Sequence, residues 1–127
     1  MKRRSFSLIE IMLVVVIIGL IAGLVVTHID TIGDEAKQSL TKTAIKKTDA
    51  DVQLYRMMNK RAPTTEEGLE ALTKGPKPLA DEIPKDGWEN ELKYGNPSSR
   101  EGKNFDVYSY GRDANAGGEG FDADLYN

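Results

Sequence analysis

Residues 2–26 read "KRRSFSLIEIMLVVVIIGLIAGLVV", and the fold follows from how that stretch is interpreted. From Ile11 to Val26 every residue is apolar or Gly, and extending back to Phe6 adds only Ser7 and Glu10 as polar interruptions. A helix of about 20 such residues spans ~30 Å, the hydrocarbon thickness of a bilayer. Lys2, Arg3 and Arg4 precede it, so the positive-inside rule keeps the N-terminus in the cytoplasm and sends everything after His28 across the membrane. A basic cluster followed by an apolar run also describes a secretory signal. The run is longer than an ordinary signal core, however, and "THIDTIGDEAK" (27–37) offers no clean A-x-A cleavage site. A carboxylate at the start of the run serves no purpose in a signal peptide. An ionised Glu in hydrocarbon costs several kilocalories and therefore calls for a partner.

Spacing suggests that partner. A cut between Ser5 and Phe6 would create an α-amine on Phe6, four residues and about one helical turn from the Glu10 carboxylate. Apolar rods packed side by side with a stagger of about a turn could then pair the amine of one with the carboxylate of the next.

The string "FSLIEIMLVVVIIGLIAGLVV" (6–26) closely resembles the N-terminus of type IV pilins and pseudopilins, whose pattern is a short basic leader, a Gly, then F-T-L-I-E and an apolar run. The resemblance implies cleavage by a prepilin peptidase between Ser5 and Phe6, N-methylation of Phe6 and helical assembly through Glu10. Ser5 stands where the family normally has Gly, and Thr27 where many relatives carry a helix-breaking Pro.

The whole chain has 127 residues, 17 basic against 20 acidic, for a net charge of −3. Its basic residues beyond the leader are scattered from Lys37 to Arg112, so no nucleic-acid footprint is present. Without cysteine there is neither a disulfide nor a thiolate metal site, and a small extracytoplasmic domain needs another staple. His28, the only histidine, sits at the membrane exit, so no Ser-His-Asp or Cys-His site can form in the globular part. No G-x-x-x-x-G-K-[ST] motif occurs either. These absences lead to the expectation of a non-enzymatic chain, although Asp122 and Asp124 could in principle do acid-base work.

Beyond the membrane, Ile32, Ala36, Leu40, Ala44, Val52 and Tyr55 fall on or near a four-residue repeat and predict an amphipathic stem helix whose apolar stripe is core. In "RAPTTEEGLEALTKGPKPL" (61–79), Pro63 stops the stem, and Thr64 with Glu67 forms a capping box for a short helix over 66–72 that packs Leu69 and Leu72 on the stem. "PKDGWENELKY" (84–94) surrounds the only tryptophan with turn formers, so Trp88 is read as an anchor holding a loop to a small core. Residues 91–94 and 105–110 predict two strands, the second setting Phe105, Val107 and Ser109 on one face and Asp106, Tyr108 and Tyr110 on the other.

The tail "GRDANAGGEGFDADLYN" (111–127) gathers Asp113, Asn115, Glu119, Asp122 and Asp124 among glycines. That composition describes a flexible acidic tail and a calcium loop equally well. A second resemblance bears on the choice. "PTTEEGLEAL" (63–72) is similar to the P-T-T-x-x-G-L-x-A-L of major pseudopilins of type II secretion systems, and "KDGWEN" (85–90) resembles their K-D-P-W-G-N, with Gly87 for Pro and Glu89 for Gly. Members of that family end in S-L-G-x-D-G, a Gly-rich stretch and an acidic pair that bind one Ca²⁺. The resemblance therefore implies Ca²⁺ held by Asp113, Asp124 and Asp122, with the carbonyls of Tyr110 and Gly120 completing the shell. Ala114 replaces the family's Gly in this motif.

The expected fold is α+β: a long N-terminal helix, transmembrane half then amphipathic half, packed on a small C-terminal domain with a short helix, a small antiparallel sheet and a calcium-binding loop. Expected parts are a cleaved leader (1–5), a transmembrane and assembly helix (6–28), a stem (29–61) and a globular domain (62–127). The expected role is a non-enzymatic major subunit of a type II secretion pseudopilus, with a type IV pilin for adhesion, motility or DNA uptake as the alternative. The family resemblance implies self-assembly into a helical homopolymer, and as partners minor pseudopilins, the inner-membrane assembly platform, a cytoplasmic ATPase and the prepilin peptidase. It further implies a single-pass inner-membrane precursor with its C-terminal domain in the periplasm.

Overall fold

The computed structural model describes residues 5–127, with the side chains of 24–32 outside the description. The leader residues Lys2, Arg3 and Arg4, and the side chains of Thr27, His28 and Ile32, lie outside the described residues. Helix α1 runs Leu8–Asn59. The chain forms two compact units, residues 1–33 and 34–127.

In the first unit, helix formation follows from an unbroken run of aliphatic residues opened by an N-terminal box. Every described side chain from Phe6 to Gly23 is exposed, and even the least exposed large one, Ile17, is 46% accessible. A helix that is apolar all round has no single face to bury in its own domain and needs an apolar surrounding. Among the described residues, no helix is long and apolar enough to cross a membrane; the fully described part of the run ends at Gly23.

In the second unit, the stem half of α1 presents Thr41, Ile45, Thr48 and Val52 to the core, flanked by half-buried Ala44 and Tyr55. This corrects the expected stripe. Leu40 is 62% exposed and Ala36 is exposed, whereas two threonines are fully buried. Their hydroxyls donate to carbonyls one turn back, Thr41 to Lys37 at 2.8 Å and Thr48 to Ala44 at 2.8 Å, which removes the penalty for burying them. The helix ends where Lys60 turns left-handed at φ 58°, before Pro63.

The expected Thr64–Glu67 box forms: Thr64 N–H donates to Glu67 at 2.8 Å and Glu67 N–H to Thr64 Oγ1 at 3.2 Å. Arg61 grips the same carboxylate through two nitrogens at 2.7 and 2.8 Å. The element that follows is a 3₁₀ helix over Gly68–Thr73, burying Leu69 and Leu72 as expected.

Strands β1 (Lys93–Gly95), β2 (Asp106–Ser109) and β3 (Leu125–Tyr126) form an antiparallel sheet in the order β1-β2-β3. Tyr94 lies opposite Val107, and Tyr108 opposite Tyr126. Phe105, Val107 and Ser109 are buried while Tyr108 and Tyr110 are half-buried on the other face, so the expected alternation holds except at buried Asp106. The core joins Ile45 and Val52 of the stem to Leu69, Leu72, Leu92, Tyr94, Phe105 and Val107. Trp88 does anchor its loop to the stem, its indole Nε1 donating to Asp34 Oδ1 at 3.2 Å.

Candidate functional site

Ser5 and Phe6 precede the first residue of α1, so the expected cut lies outside the helix, and Phe6 is 80% exposed. Glu10 does not stand alone. Its Oε2 accepts the Ser7 N–H at 2.8 Å and the Ser7 hydroxyl at 3.0 Å, while the Glu10 N–H donates to Ser7 Oγ at 3.3 Å. This reciprocal S-x-x-E box satisfies donors at the helix start that have no partner within the helix. Sequence reasoning missed Ser7 as a partner, although the three-residue spacing that revealed the Thr64–Glu67 box was present here too.

At the other end, the C-terminal loop is shaped by two glycines with left-handed backbones. A Cβ on Gly111 (φ 79°) would lie 2.7 Å from the Phe121 carbonyl oxygen, and one on Gly118 (φ 101°) 2.6 Å from the Asp122 carbonyl oxygen. Only glycine lets these strands of the loop close so tightly. The loop carries a 3₁₀ turn over Gly120–Asp122 and leads into β3.

Each expected carboxylate ligand has a nitrogen partner. Asp113 Oδ1 accepts the Asn115 N–H at 3.1 Å, and both oxygens of Asp124 accept the Gly117 N–H at 3.0 and 3.1 Å. Asp122 accepts the Arg112 guanidinium at 3.0 and 3.2 Å. The Gly120 carbonyl accepts Gln38 Nε2 at 3.4 Å, and the Tyr110 ring stands edge-on to Tyr108 at 5.4 Å. In kind, the donors fit a hard cation, since every one is oxygen. In this arrangement the carboxylates are turned to separate partners, and among the described residues no group of three or more His, Cys, Asp or Glu side chains gathers to hold an ion.

The stem supplies a further residue that sequence reasoning did not single out. Asp34 receives Trp88 on one oxygen and Arg112, at 2.9 Å, on the other. The indole N–H first, then the guanidinium, hold its carboxyl below the ordinary aspartate value against the opposing effect of burial.

An N-terminal helix that begins as an all-apolar rod and continues as the stem of a small antiparallel domain defines a pilin-like filament subunit. Comparison with known proteins makes the class specific. Residues 29–127 match the family model described as "Type II secretion system (T2SS), protein G", and residues 1–26 match the prokaryotic N-terminal methylation motif. The type II secretion system core protein G of Pseudomonas aeruginosa is 39% identical, covering 100% of this chain and 98% of its own; that of Vibrio cholerae is 36% identical, covering 99% and 92%. The crystal structure of the major pseudopilin from the type 2 secretion system of enterohaemorrhagic Escherichia coli superposes with a TM-score of 0.59 at 28% identity, covering 74% of this chain and 88% of that one. The chain belongs to the type II secretion system protein G family. That family consists of structural pseudopilin subunits, and membership accounts for both sequence resemblances.

Proposed function

We propose that the chain is made as an inner-membrane precursor, cut between Ser5 and Phe6, methylated on Phe6 and added to a helical pseudopilus whose growth pushes secreted proteins outward. The observation that supports this most directly is α1 itself: one helix carries an apolar rod exposed on all sides and then a stem that buries Thr41, Ile45, Thr48 and Val52 in a small domain. The first part suits lipid or the apolar rods of neighbouring subunits, and the second displays the domain outside. The apolar run to Val26 spans the bilayer, the basic leader stays cytoplasmic and residues after His28 are periplasmic. Prepilin peptidase makes the cut, and the assembly platform with its minor pseudopilins receives the subunit.

Glu10 has two partners in succession. Ser7 satisfies its carboxylate within the subunit, and the Phe6 amine of a neighbour, with its full positive charge, attracts it more strongly in hydrocarbon. Glu10→Ala is expected to leave insertion intact and abolish filament assembly, to be read by cross-linking of membrane subunits and electron microscopy of sheared filaments. Normal filaments from that variant would refute the pairing. Mass spectrometry of the mature protein should find Phe6 at the N-terminus; a retained leader would remove the mechanism altogether.

The loop at 111–124 takes Ca²⁺. Asp113, Asp122 and Asp124 would hold the ion through carboxylates, Tyr110 and Gly120 through carbonyls. When bound, the ion offsets the loop's negative charge and links its two ends.

A further inference from the structure

One cationic side chain lies inside this acidic loop. Arg112 Nε donates to Asp122 Oδ1 at 3.0 Å and Nη2 to Oδ2 at 3.2 Å, a two-point grip on one carboxylate. Its third nitrogen, Nη1, donates to Asp34 Oδ2 at 2.9 Å, so one guanidinium joins stem and loop. The backbone prepares this pose: the Arg112 N–H donates to the Phe121 carbonyl at 2.9 Å, and the guanidinium lies 5.9 Å from the Phe121 ring centre. Asp34 is in turn fixed by the Trp88 indole. An isolated exposed ion pair contributes little, but a planar fork shared by two oriented carboxylates is a network with defined geometry.

We propose that Arg112 is the loop's built-in counter-cation, occupying Asp122 until a divalent ion takes that carboxylate, so that the guanidinium and the ion compete for it. This rests on the calcium reading above. Both Asp122 oxygens serve the fork, so a divalent ion approaching that carboxylate meets the guanidinium's positive charge and competes with it for the same oxygens. Opening the fork does not by itself free the loop from the stem, because Arg112 Nη1 keeps Asp34. At Asp122, ion binding therefore exchanges the fork for the ion while Arg112 keeps its hold on the stem. Without the ion, the same contact restrains the loop and limits repulsion among its carboxylates.

The test uses the full chain in detergent micelles, with calcium affinity measured by titration calorimetry and melting followed with EDTA or with saturating Ca²⁺. Arg112→Gln is expected to bind Ca²⁺ about tenfold more tightly than the parent, to melt lower in EDTA and to lag the parent by less once saturated, the remaining gap being the lost Asp34 contact. Arg112→Lys, which keeps the charge and loses the fork, falls between them. Lys93→Gln removes an exposed charge elsewhere in the domain and leaves the affinity unchanged. Equal calcium affinity in Arg112→Gln and the parent would overturn the competition and leave the calcium reading standing, as would an equal gain in Lys93→Gln. If neither parent nor variant binds Ca²⁺, both readings fall. Should Arg112→Gln fail to fold, Arg112→Lys carries the comparison, and an affinity equal to the parent's overturns the proposal.

Discussion

Asp106 is 3% exposed, and burial alone would raise its pKa. The Ser98 hydroxyl at 2.7 Å, the Ser99 N–H at 2.9 Å and the Arg100 Nε at 2.8 Å outweigh that and lower it to about 2. A folded-state value below the unfolded one stabilises the domain above the unfolded pKa, and that contribution is lost as pH falls through the folded value. Stability should therefore drop by about 2 kcal/mol between pH ~4 and pH ~2 from this group, and Asp106→Asn should flatten that part of the profile in denaturant titrations. An unchanged acid limb would show that the 98–100 loop does not depend on the charge. Two other residues bear on backbone strain. Glu89 (φ 66°) and Ala114 (φ 56°) adopt left-handed conformations at positions where the resembling motifs carry Gly. Side chains in that region cost about 1–2 kcal/mol, and Gly gives back part of this through its freer unfolded chain. Ala114→Gly should accordingly gain about 0.5 kcal/mol in the denaturation midpoint. A lower midpoint would mean that this conformation is unstrained here.

Between elements, the approach of the 86–90 turn to the stem is set by Gly87. A Cβ there would run into the Lys37 carbonyl, and the Gly87 N–H donates to Thr41 Oγ1 at 2.9 Å. The family's usual Pro has a Cβ and no N–H, so it could occupy neither the space nor the hydrogen bond. Asp86 completes the turn, accepting the N–H groups of Trp88 and Asn90 at 2.9 and 3.0 Å and the Ser109 hydroxyl at 2.6 Å. Gly87→Ala should cost about 1–3 kcal/mol in urea titration by forcing turn and stem apart. An unchanged midpoint would show that the turn can move away freely. The stem itself shows why part of the fold was hard to read. Apolar spacing located the helix and Pro63 its end, but a stripe drawn through Ala36, Leu40 and Ala44 ran beside the buried face. Thr41 and Thr48 are polar by composition and became core because each hydroxyl found a carbonyl on its own helix.

Across the molecule, the staple that a cysteine-free domain requires is distributed between side-chain networks and the proposed ion. Asn127 donates to Asp49 of the stem at 2.6 Å, and its backbone N–H to the Val107 carbonyl at 3.0 Å, fixing the end of β3. Arg112 and Gln38 fix the loop before it. Saturating Ca²⁺ should therefore raise the melting temperature above that in EDTA without being needed for folding. Coincident melting curves would sink the calcium staple, and a chain unfolded in EDTA would show that the networks do not suffice. The strand β3 was hidden in the sequence because it is two residues long and follows a glycine-rich acidic stretch; its pairing with β2 depends on a long-range closure that local pattern does not encode.

By itself the sequence determined the long helix, the apolar rod with Glu10 at its head, the capped turn at Thr64–Glu67 and the family, because these depend on spacing within a few residues or on a continuous apolar run. The tertiary structure alone decided which stem residues are buried, that Asp34 receives both Trp88 and Arg112, and that Asp113, Asp122 and Asp124 are each held by a nitrogen donor. Those outcomes depend on groups up to 78 positions apart meeting at hydrogen-bonding distance, and such meetings are set by how the stem, the turn and the sheet pack together.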